Sequence, residues 1–222
     1  MDKVKNYIKR LTNIERKNSP EFFYYEGDFS LLEHGRRVSV VGSRKLSEKG
    51  REQAVFFVNS LLKFDITVVS GLAQGVDTVA HQTAINNKGK TIAVIGTPLD
   101  KFYPKENTEL QKQIASEQLL ISQFPKNYPV TPKNFPMRNR MMALISDATI
   151  IIEASEKSGT KHQGWEALRL GRELFINEEV INSNVSWAKE MLKYGASVIN
   201  AENCEYLFEN IHYLTTKEYY AL

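Results

Sequence analysis

The stretch that decides the fold is residues 38–71, which read VSVVGSRKLSEKGREQAVFFVNSLLKFDITVVSG. It contains two short β-branched runs, Val38–Val41 and 66–69, that are typical of buried strands. Between them, apolar residues recur at helical spacing from Glu48 to Leu62, which predicts an amphipathic helix. A strand, a helix and a second strand in this order predict a right-handed βαβ unit with parallel strands.

The same alternation continues towards the C-terminus. Further strands are predicted at 91–95, 119–122, 148–152 and, as the last strand, 174–176; helices are predicted at 77–86, 107–116, 138–146 and 163–170, with a proline-rich loop at 124–136. Alternating strands and helices predict a mostly parallel sheet, and nearly continuous apolar strands predict helices on both of its faces. The predicted fold class is therefore α/β, an extended Rossmann-like fold.

The chain divides into three predicted parts. Residues 1–34 are predicted to form an N-terminal helix and a lead-in segment, with a loop at 24–28. Residues 35–210 are predicted to be the core domain, and residues 211–222 a C-terminal tail.

Composition restricts the class of protein. The chain has 222 residues, a formal net charge of only +3, one cysteine and four histidines. One cysteine allows no internal disulfide, and the scattered histidines have no spacing typical of a metal site. The sequence lacks both an apolar run of the roughly 18 residues that a membrane span needs and an apolar signal core. We therefore expect a cytoplasmic protein with no membrane contact, no metal and no cofactor.

Small-residue loops follow the predicted strands, at the edge where open α/β sheets bind ligands. They contain Gly42-Ser43-Arg44, then Gly71 and Gly75, then Gly96-Thr97-Pro98, then Ser158-Gly159-Thr160 followed by Lys161. Glycines let a ligand approach the backbone, helix N-termini favour anions, and a guanidinium such as that of Arg44 suits phosphate. These loops predict a phosphate-binding rim. The dinucleotide fingerprint and the P-loop are both absent from the sequence.

Basic residues are concentrated in one acid-free segment. Between Gln118 and Ser146 there is no Asp or Glu, whereas Lys126, Lys133, Arg138 and Arg140 fall there. Because Arg138 and Arg140 are two apart on a predicted helix, they point to different sides. We expect one to pair internally and the other to meet a ligand, and Asn139 to bond phosphate or a neighbouring loop. The basic first 17 residues are interpreted as a solvated helix face.

The motifs, taken in order, resemble those of the DNA processing protein A family (DprA/Smf). They are Gly42-Ser43-Arg44, SGLAQGVD at 70–77 with Ala80-His81, Tyr103-Pro104 with Asn107, FPMRNR at 135–140, Ser158-Gly159-Thr160 and Gly171-Arg172. The resemblance implies an extended Rossmann-like fold, a homodimer and binding of single-stranded DNA, with no enzymatic activity. It further implies a role in natural transformation, in which the strand passes to the RecA recombinase. The matching pocket residues are Ser43, Arg44, Arg138, Asn139 and Arg140.

The sequence departs from the family pattern at three places. Met137 stands where the family commonly has a further arginine, and residues 160–166 are more polar than usual. The family's winged-helix tail is not matched, and some 20 residues precede the core. The resemblance therefore implies DNA binding more strongly than recombinase loading.

Binding of single-stranded DNA is the first functional hypothesis. Arg44, Arg138 and Arg140, helped by Lys133 and Lys161, are expected to hold the phosphate backbone. Three aromatic residues near the rim are candidates for stacking on bases, although ordinary packing also explains them: Tyr103, Phe135 and Trp165.

The second hypothesis is a nucleotide-binding sensor or a nucleotide N-glycoside hydrolase, for example in phage defence. Gly159-Thr160 with Glu166 resembles the loop of phosphoribohydrolases, in which a glutamate stabilises an oxocarbenium-like sugar. Asp77 or His162 would assist. The alternative interpretation is that His162 and Glu166 form an exposed helix pair and that Asp77 is favoured by a helix dipole.

Overall fold

A computed structural model describes the backbone of residues 2–4, residues 15 and 17, and residues 19–213. Within them, strands form one nine-stranded sheet: β1 Asp2–Val4, β2 Phe23–Gly27, β3 Arg37–Val41, β4 Thr67–Ser70, β5 Thr91–Ile95, β6 Leu119–Ser122, β7 Ala148–Ile151, β8 Glu173–Asn177 and β9 Ser197–Ile199. Their order across the sheet is β1-β2-β6-β5-β4-β3-β7-β8-β9. All neighbours from β6 to β9 are parallel, whereas β2 is antiparallel to both β6 and β1.

Helices cover both faces of the sheet. Their bounds are α1 Ser30–Glu33, α2 Glu48–Leu62, α3 Val76–Asn86, α4 Thr108–Glu117, α5 Asn134–Ile145, α6 Thr160–Arg169, α7 Glu178–Asn182, α8 Ser186–Leu192 and α9 Cys204–Glu209, with a 3-10 turn at Lys105–Asn107. Val38 and Val40 of β3 pack with α2, α3 and α9, whereas Val41 packs in the cluster that contains α5 and α8. The expected α/β fold with a mostly parallel sheet is confirmed.

Strand β3 lies in the interior of the sheet, at the point where the strand order changes direction. The chain runs outward from β3 through β4 and β5 to β6, and then returns to place β7 on the other side of β3. The helices that follow β3 and β7 therefore pack on opposite faces of the sheet, and a crevice forms between their starts. This is the position at which doubly wound sheets bind ligands.

Besides β1, two strands, β2 and β9, were missing from the sequence prediction. Residues 24–27, expected in a loop, belong to β2, because pairing with β6 on one side and β1 on the other overrides the turn-like Glu-Gly-Asp composition. Residues 174–176 are not in the last strand, since β9 follows at the sheet edge. Strand β9 has only three residues and mixed exposure, so its pattern carries no readable period.

Two helices begin earlier than predicted. Helix α5 begins at Asn134, so it includes Pro136, which was assigned to the loop. Proline is tolerated there because the first-turn N–H groups of a helix have no intrahelical partner. Helix α6 begins at Thr160 rather than at residue 163.

The ends of the chain are described only in part. Residues 2–4 are a strand rather than the predicted helix, and residues 15 and 17 are helical. Most of the other N-terminal positions of the predicted helix, and residues 214–222 of the predicted tail, lie outside the described residues. The domain boundaries at residues 34 and 210 stay predictions. None of the helices in the described ranges is long and apolar enough to cross a membrane.

A buried histidine connects α3 to the middle of the sheet. The hydroxyl of Thr91 donates to the Val68 carbonyl at 2.9 Å, so it accepts from Nδ1 of His81 at 2.7 Å. Nε2 of His81 is buried and has no partner among the described residues. Burial, reinforced by the charge of Arg138, lowers the pKa of His81 from 6.5 to about 3. His81 is therefore a neutral packing residue.

This histidine makes stability depend on pH in a defined window. Between pH 6.5 and about 3 the unfolded chain binds a proton that the folded chain does not, so stability falls as the solution is acidified through that window. We expect the free energy of unfolding to fall more steeply for the native chain than for His81→Gln, by up to about 1.4 kcal/mol per pH unit. Urea titrations at several pH values measure the difference; parallel curves for the two proteins would contradict it.

Candidate nucleic-acid interface

The loops after β3, β4 and β7 meet through their backbones. The Ser43 N–H donates to the Glu153 carbonyl at 2.8 Å, and the Val76 N–H donates to the Ser43 carbonyl at 3.1 Å. Gly75 has a φ of +79°, and a Cβ there would overlap the Ser43 carbonyl oxygen. A glycine is therefore needed for this close approach. The structure brings these strand-end loops together at the switch point.

The N-terminus of α2 is already occupied by a carboxylate of the protein. Glu153 accepts from the Ser47 N–H, at 3.3 Å to each carboxylate oxygen, and from the Ser47 hydroxyl. The Ser47 Oγ in turn accepts from the Gly50 N–H at 3.0 Å. Because Glu153 and the Ser47 Oγ each accept an N–H group at this helix end, α2 offers fewer free donors to a phosphate.

Arg138 lies beneath the loop after β4. Its side chain is 5% exposed, and Nη1 donates to the Val94 carbonyl at 3.2 Å and lies 3.8 Å from Asp77 Oδ2. Asp77 accepts from the N–H groups of Gly71 and Ala73, at 3.1 and 3.3 Å. A Cβ at Gly71 would occupy the position of the guanidinium. Arg138 therefore holds α5 against the end of β4.

Burial works against the charges of this pair. It raises the pKa of Asp77 and lowers that of Arg138, and each partner's opposite charge counters the shift of the other. The two buried charges are tolerable only because they face each other. Arg138 was expected in the DNA pocket, but the structure places its guanidinium inside, which matches the expectation that one of the two helix arginines pairs internally. Asn139 beside it is half-buried.

An exposed patch of arginine and aromatic rings lies above this pair. The Arg44 guanidinium is 5.7 Å from the centre of the Phe135 ring. The centres of the Phe135 and Tyr103 rings are 5.4 Å apart. Phe135 is placed by Asn134, whose Nδ2 donates to the Gly96 carbonyl at 3.1 Å. A Cβ at Gly96 would lie 2.9 Å from the Phe135 ring. We call Arg44, Tyr103 and Phe135 the rim.

Ser43 contributes to the rim through its backbone. Its hydroxyl donates to the Lys45 carbonyl at 2.7 Å, so that proton is used within the loop. The side chains of Arg44, Lys45 and Lys133 are exposed. Lys133 immediately precedes α5.

The hydroxyl groups of the loop before α6 form hydrogen bonds within that loop. The Ser158 hydroxyl donates to Thr160 Oγ1 at 2.8 Å and accepts from the Thr160 N–H at 3.3 Å. Gly159 and Lys161 are exposed, and a Cβ at Gly159 would meet no described atom within 4 Å. No measured contact joins Ser158–Lys161 to Arg44. Their membership of a common site with the rim stays a prediction.

Arg140 lies on another side of α5 from Arg138. With 3.6 residues per turn, residues two apart are separated by about 200° around the axis. Arg140 Nη2 and Nε are each 3.4 Å from Glu166 Oε1, and Glu166 Oε2 pairs with Arg169, 3.0 Å from its Nε. Arg140 therefore does not converge with the buried ion pair, and its side chain remains 46% exposed.

The three residues of the hydrolase hypothesis are not gathered into one site. Asp77 is buried with Arg138 on one side of α5, whereas Glu166 faces Arg140 on another. Glu166 is shared by two guanidinium groups, and His162 is exposed in the first turn of α6. Such an arrangement favours a structural role for each residue. The described residues also contain no cluster of His, Cys, Asp or Glu that would hold a metal ion.

Trp165 is not part of the rim. It packs against the core cluster of α5 and α8, and its ring meets that of Tyr194 edge-on at 5.4 Å. This contact supports the packing interpretation of Trp165.

Three carboxylates near the strand ends are bound by other groups of the protein. Glu153 bonds Ser47, Asp77 bonds Arg138, and the bonds that Glu156 accepts from Ser186 lower its pKa. By contrast, the ion pairs of the described residues include none of Arg44, Lys133 or Lys161. These three exposed cations are therefore available to an anionic ligand.

Sequence reasoning missed Lys17 and Tyr128, which line a cleft beside Arg140. Lys17 was assigned to a solvated helix face, and Tyr128 was not singled out. The position of Tyr128 inside the acid-free segment was the sequence signal that could have identified it.

We expect Arg138→Met to lower the free energy of unfolding by about 3–5 kcal/mol, because it leaves Asp77 buried without a cation. Adding Asp77→Asn should recover part of this loss. Arg140→Met is the matched control on the same helix, and its exposed pair should contribute less than about 1 kcal/mol. Urea denaturation measures all three proteins; equal losses for the two arginine variants would refute the assigned role of Arg138.

The chain is similar to known proteins over most of its length. Residues 2–211 match the family model described as DNA recombination-mediator protein A. The DNA processing protein DprA of Streptococcus pneumoniae is 35% identical over 185 residues, which cover 83% of this chain and 65% of that protein. The chain thus spans slightly less than two thirds of the length of that relative.

Two solved structures share the fold over 96% of this chain. DprA from Streptococcus pneumoniae superposes with a TM-score of 0.83 at 30% identity, over 75% of that chain. DNA processing protein A from Helicobacter pylori, solved to describe how that protein binds single-stranded DNA, superposes with a TM-score of 0.79 at 27% identity, over 96% of that chain. With a family model that matches almost from end to end, the chain belongs to the DNA recombination-mediator protein A family.

Proposed function

We propose that this protein binds single-stranded DNA through its phosphate backbone, with Arg44 as the central contact. The observation that carries the proposal is the state of Arg44 itself. It is exposed, it lies over Phe135, and no carboxylate of the described residues comes within ion-pair distance of it. A guanidinium in this position is free to take a phosphate with two parallel hydrogen bonds.

Lys133 and Lys161, both exposed, extend the positive surface that a strand would follow. Contacts to phosphate carry no sequence information, so binding is non-specific and weakens with salt. The strand-end glycines, with Ser43, Ser158 and Thr160, shape the loops that present these cations.

The rim also favours single strands over duplexes. Tyr103 is 48% exposed and Phe135 is half-buried, so both rings offer a face to an unstacked base. Aromatic platforms beside a basic groove are typical of proteins that hold single strands without sequence preference. Arg138 acts indirectly, by fixing the helix that carries Phe135.

We further propose that the protein works as a homodimer in the cytoplasm and delivers strands to the RecA recombinase during DNA uptake. Family membership supports this proposal.

We expect Arg44→Ala to weaken binding to oligothymidylate and to make the salt dependence shallower. Loss of one phosphate contact on a single strand reduces the slope of log K against log salt by about 0.7. Fluorescence anisotropy of a labelled oligonucleotide over a salt series measures both effects.

Lys88→Ala is the charge-matched control, because Lys88 is exposed between α3 and β5, at the opposite edge of the sheet. It should leave the affinity and the slope as in the native chain. If Arg44→Ala behaved like Lys88→Ala, the proposed contact would be disproved.

A further inference from the structure

A second concave feature lies beside α5, on the side of Arg140. It is a cleft of about 270 Å³ between the segment before β2, the loop after β6 and the first turns of α5. We call it the second cleft, and the residues that matter in it are Lys17, Gln123, Phe124, Tyr128, Met137 and Arg140.

Its walls combine flat apolar groups with two cations. The rings of Phe124 and Tyr128 lie 5.1 Å apart, and Phe124 is buried behind Tyr128. Tyr128 is 40% exposed and Met137 44% exposed, so a ring and a polarisable thioether are both open to a ligand. Lys17 is exposed, and Arg140 is only partly engaged by Glu166. A planar group next to an anion fits this combination.

Gln123 adds a donor that lacks a partner. Its Nε2 is buried, and it makes no hydrogen bond within the described part of the chain. Buried amide donors are normally satisfied, so an acceptor on a ligand in the cleft would remove this cost. Exocyclic oxygens and ring nitrogens of nucleobases are acceptors of this kind.

We propose that the second cleft is a nucleotide subsite that takes one base and a neighbouring phosphate from the same single strand that the rim holds. The base stacks on Tyr128 and Met137, the Gln123 amide donates to it, and Lys17 and Arg140 meet the phosphate. This inference rests on the proposed function, because the rim provides the first attachment.

Because of the position of α5, one continuous DNA strand can occupy both the rim and the second cleft. Phe135 of the rim and Met137 of the second cleft lie two residues apart, in the first turn of this helix. A strand that crosses the helix start, a span of about 10 Å, reaches both. A free nucleotide fits less well, since Arg140 is shared with Glu166, whereas a tethered base gains from the high local concentration that the rim supplies.

Photocrosslinking tests the path directly. Oligothymidylates that carry one 5-iododeoxyuridine at successive positions are irradiated with the native chain, and the products are digested with trypsin. The rim is reported by Tyr103 in peptide 102–105, and the second cleft by Tyr128 in peptide 127–133. We expect both peptides to be labelled, from different positions of the same oligonucleotide.

The outcomes separate the two proposals. Label in peptide 102–105 alone would overturn the second cleft and leave the rim intact, whereas an oligonucleotide that does not bind would overturn both. Label in peptide 127–133 from 5-iododeoxyuridine monophosphate, as strong as from the oligonucleotide, would show a free-nucleotide site and overturn the common strand.

Affinity supplies the second measurement. Tyr128→Ala should weaken binding of a long oligothymidylate about tenfold, the effect expected of losing one base stack, whereas Tyr128→Phe should retain the native affinity. Tyr206→Ala, at a tyrosine on α9 that is even more exposed than Tyr128, is the control and should bind as the native chain does. Equal affinities for Tyr128→Ala and Tyr206→Ala would overturn the inference.

Discussion

The buried ion pair between Arg138 and Asp77 is the contact on which the candidate interface depends. Asp77 gathers two backbone N–H groups of the loop after β4, and Arg138 brings the first turns of α5 to the same place. Separating the two groups would leave each charge buried without a partner, which is costly. The ion pair therefore fixes the loop and the helix relative to one another. The helix start then presents Phe135 to Arg44 on one side and Met137 to the second cleft on the other.

The candidate interface depends on how carboxylates near the strand ends are bound by other groups of the protein. The net charge of +3 gives little attraction for a polyanion over the whole surface. At the strand ends, however, Glu153, Asp77 and Glu156 are each bound by a helix end, a loop or a guanidinium of the protein. Arg44, Lys133 and Lys161 are left without an ion-pair partner among the described residues. A modest overall charge is thereby compatible with a strongly positive local surface.

Local periodicity explains what could be predicted from the sequence. Helix α2 and the strands β5 and β6 are strongly apolar and periodic, and their predicted bounds agree with those observed. The strand-end loops were predicted because parallel strands place their carboxyl ends at one edge. Strand β2 was missed because distant pairing with β6 defines it, and β9 because three residues show no period. The partner of Arg138 and the use of Glu153 at α2 were equally hidden, since both depend on long-range contacts.

The most direct test of the central claim is whether the negative charge of the nucleic acid backbone is what the rim attracts. The affinity for an oligothymidylate is compared with that for a methylphosphonate oligomer of the same length, which has the same bases and a neutral backbone. The account predicts that the neutral oligomer shows no measurable binding at a salt concentration where the charged one binds well. Equal affinity for the two oligomers would contradict it.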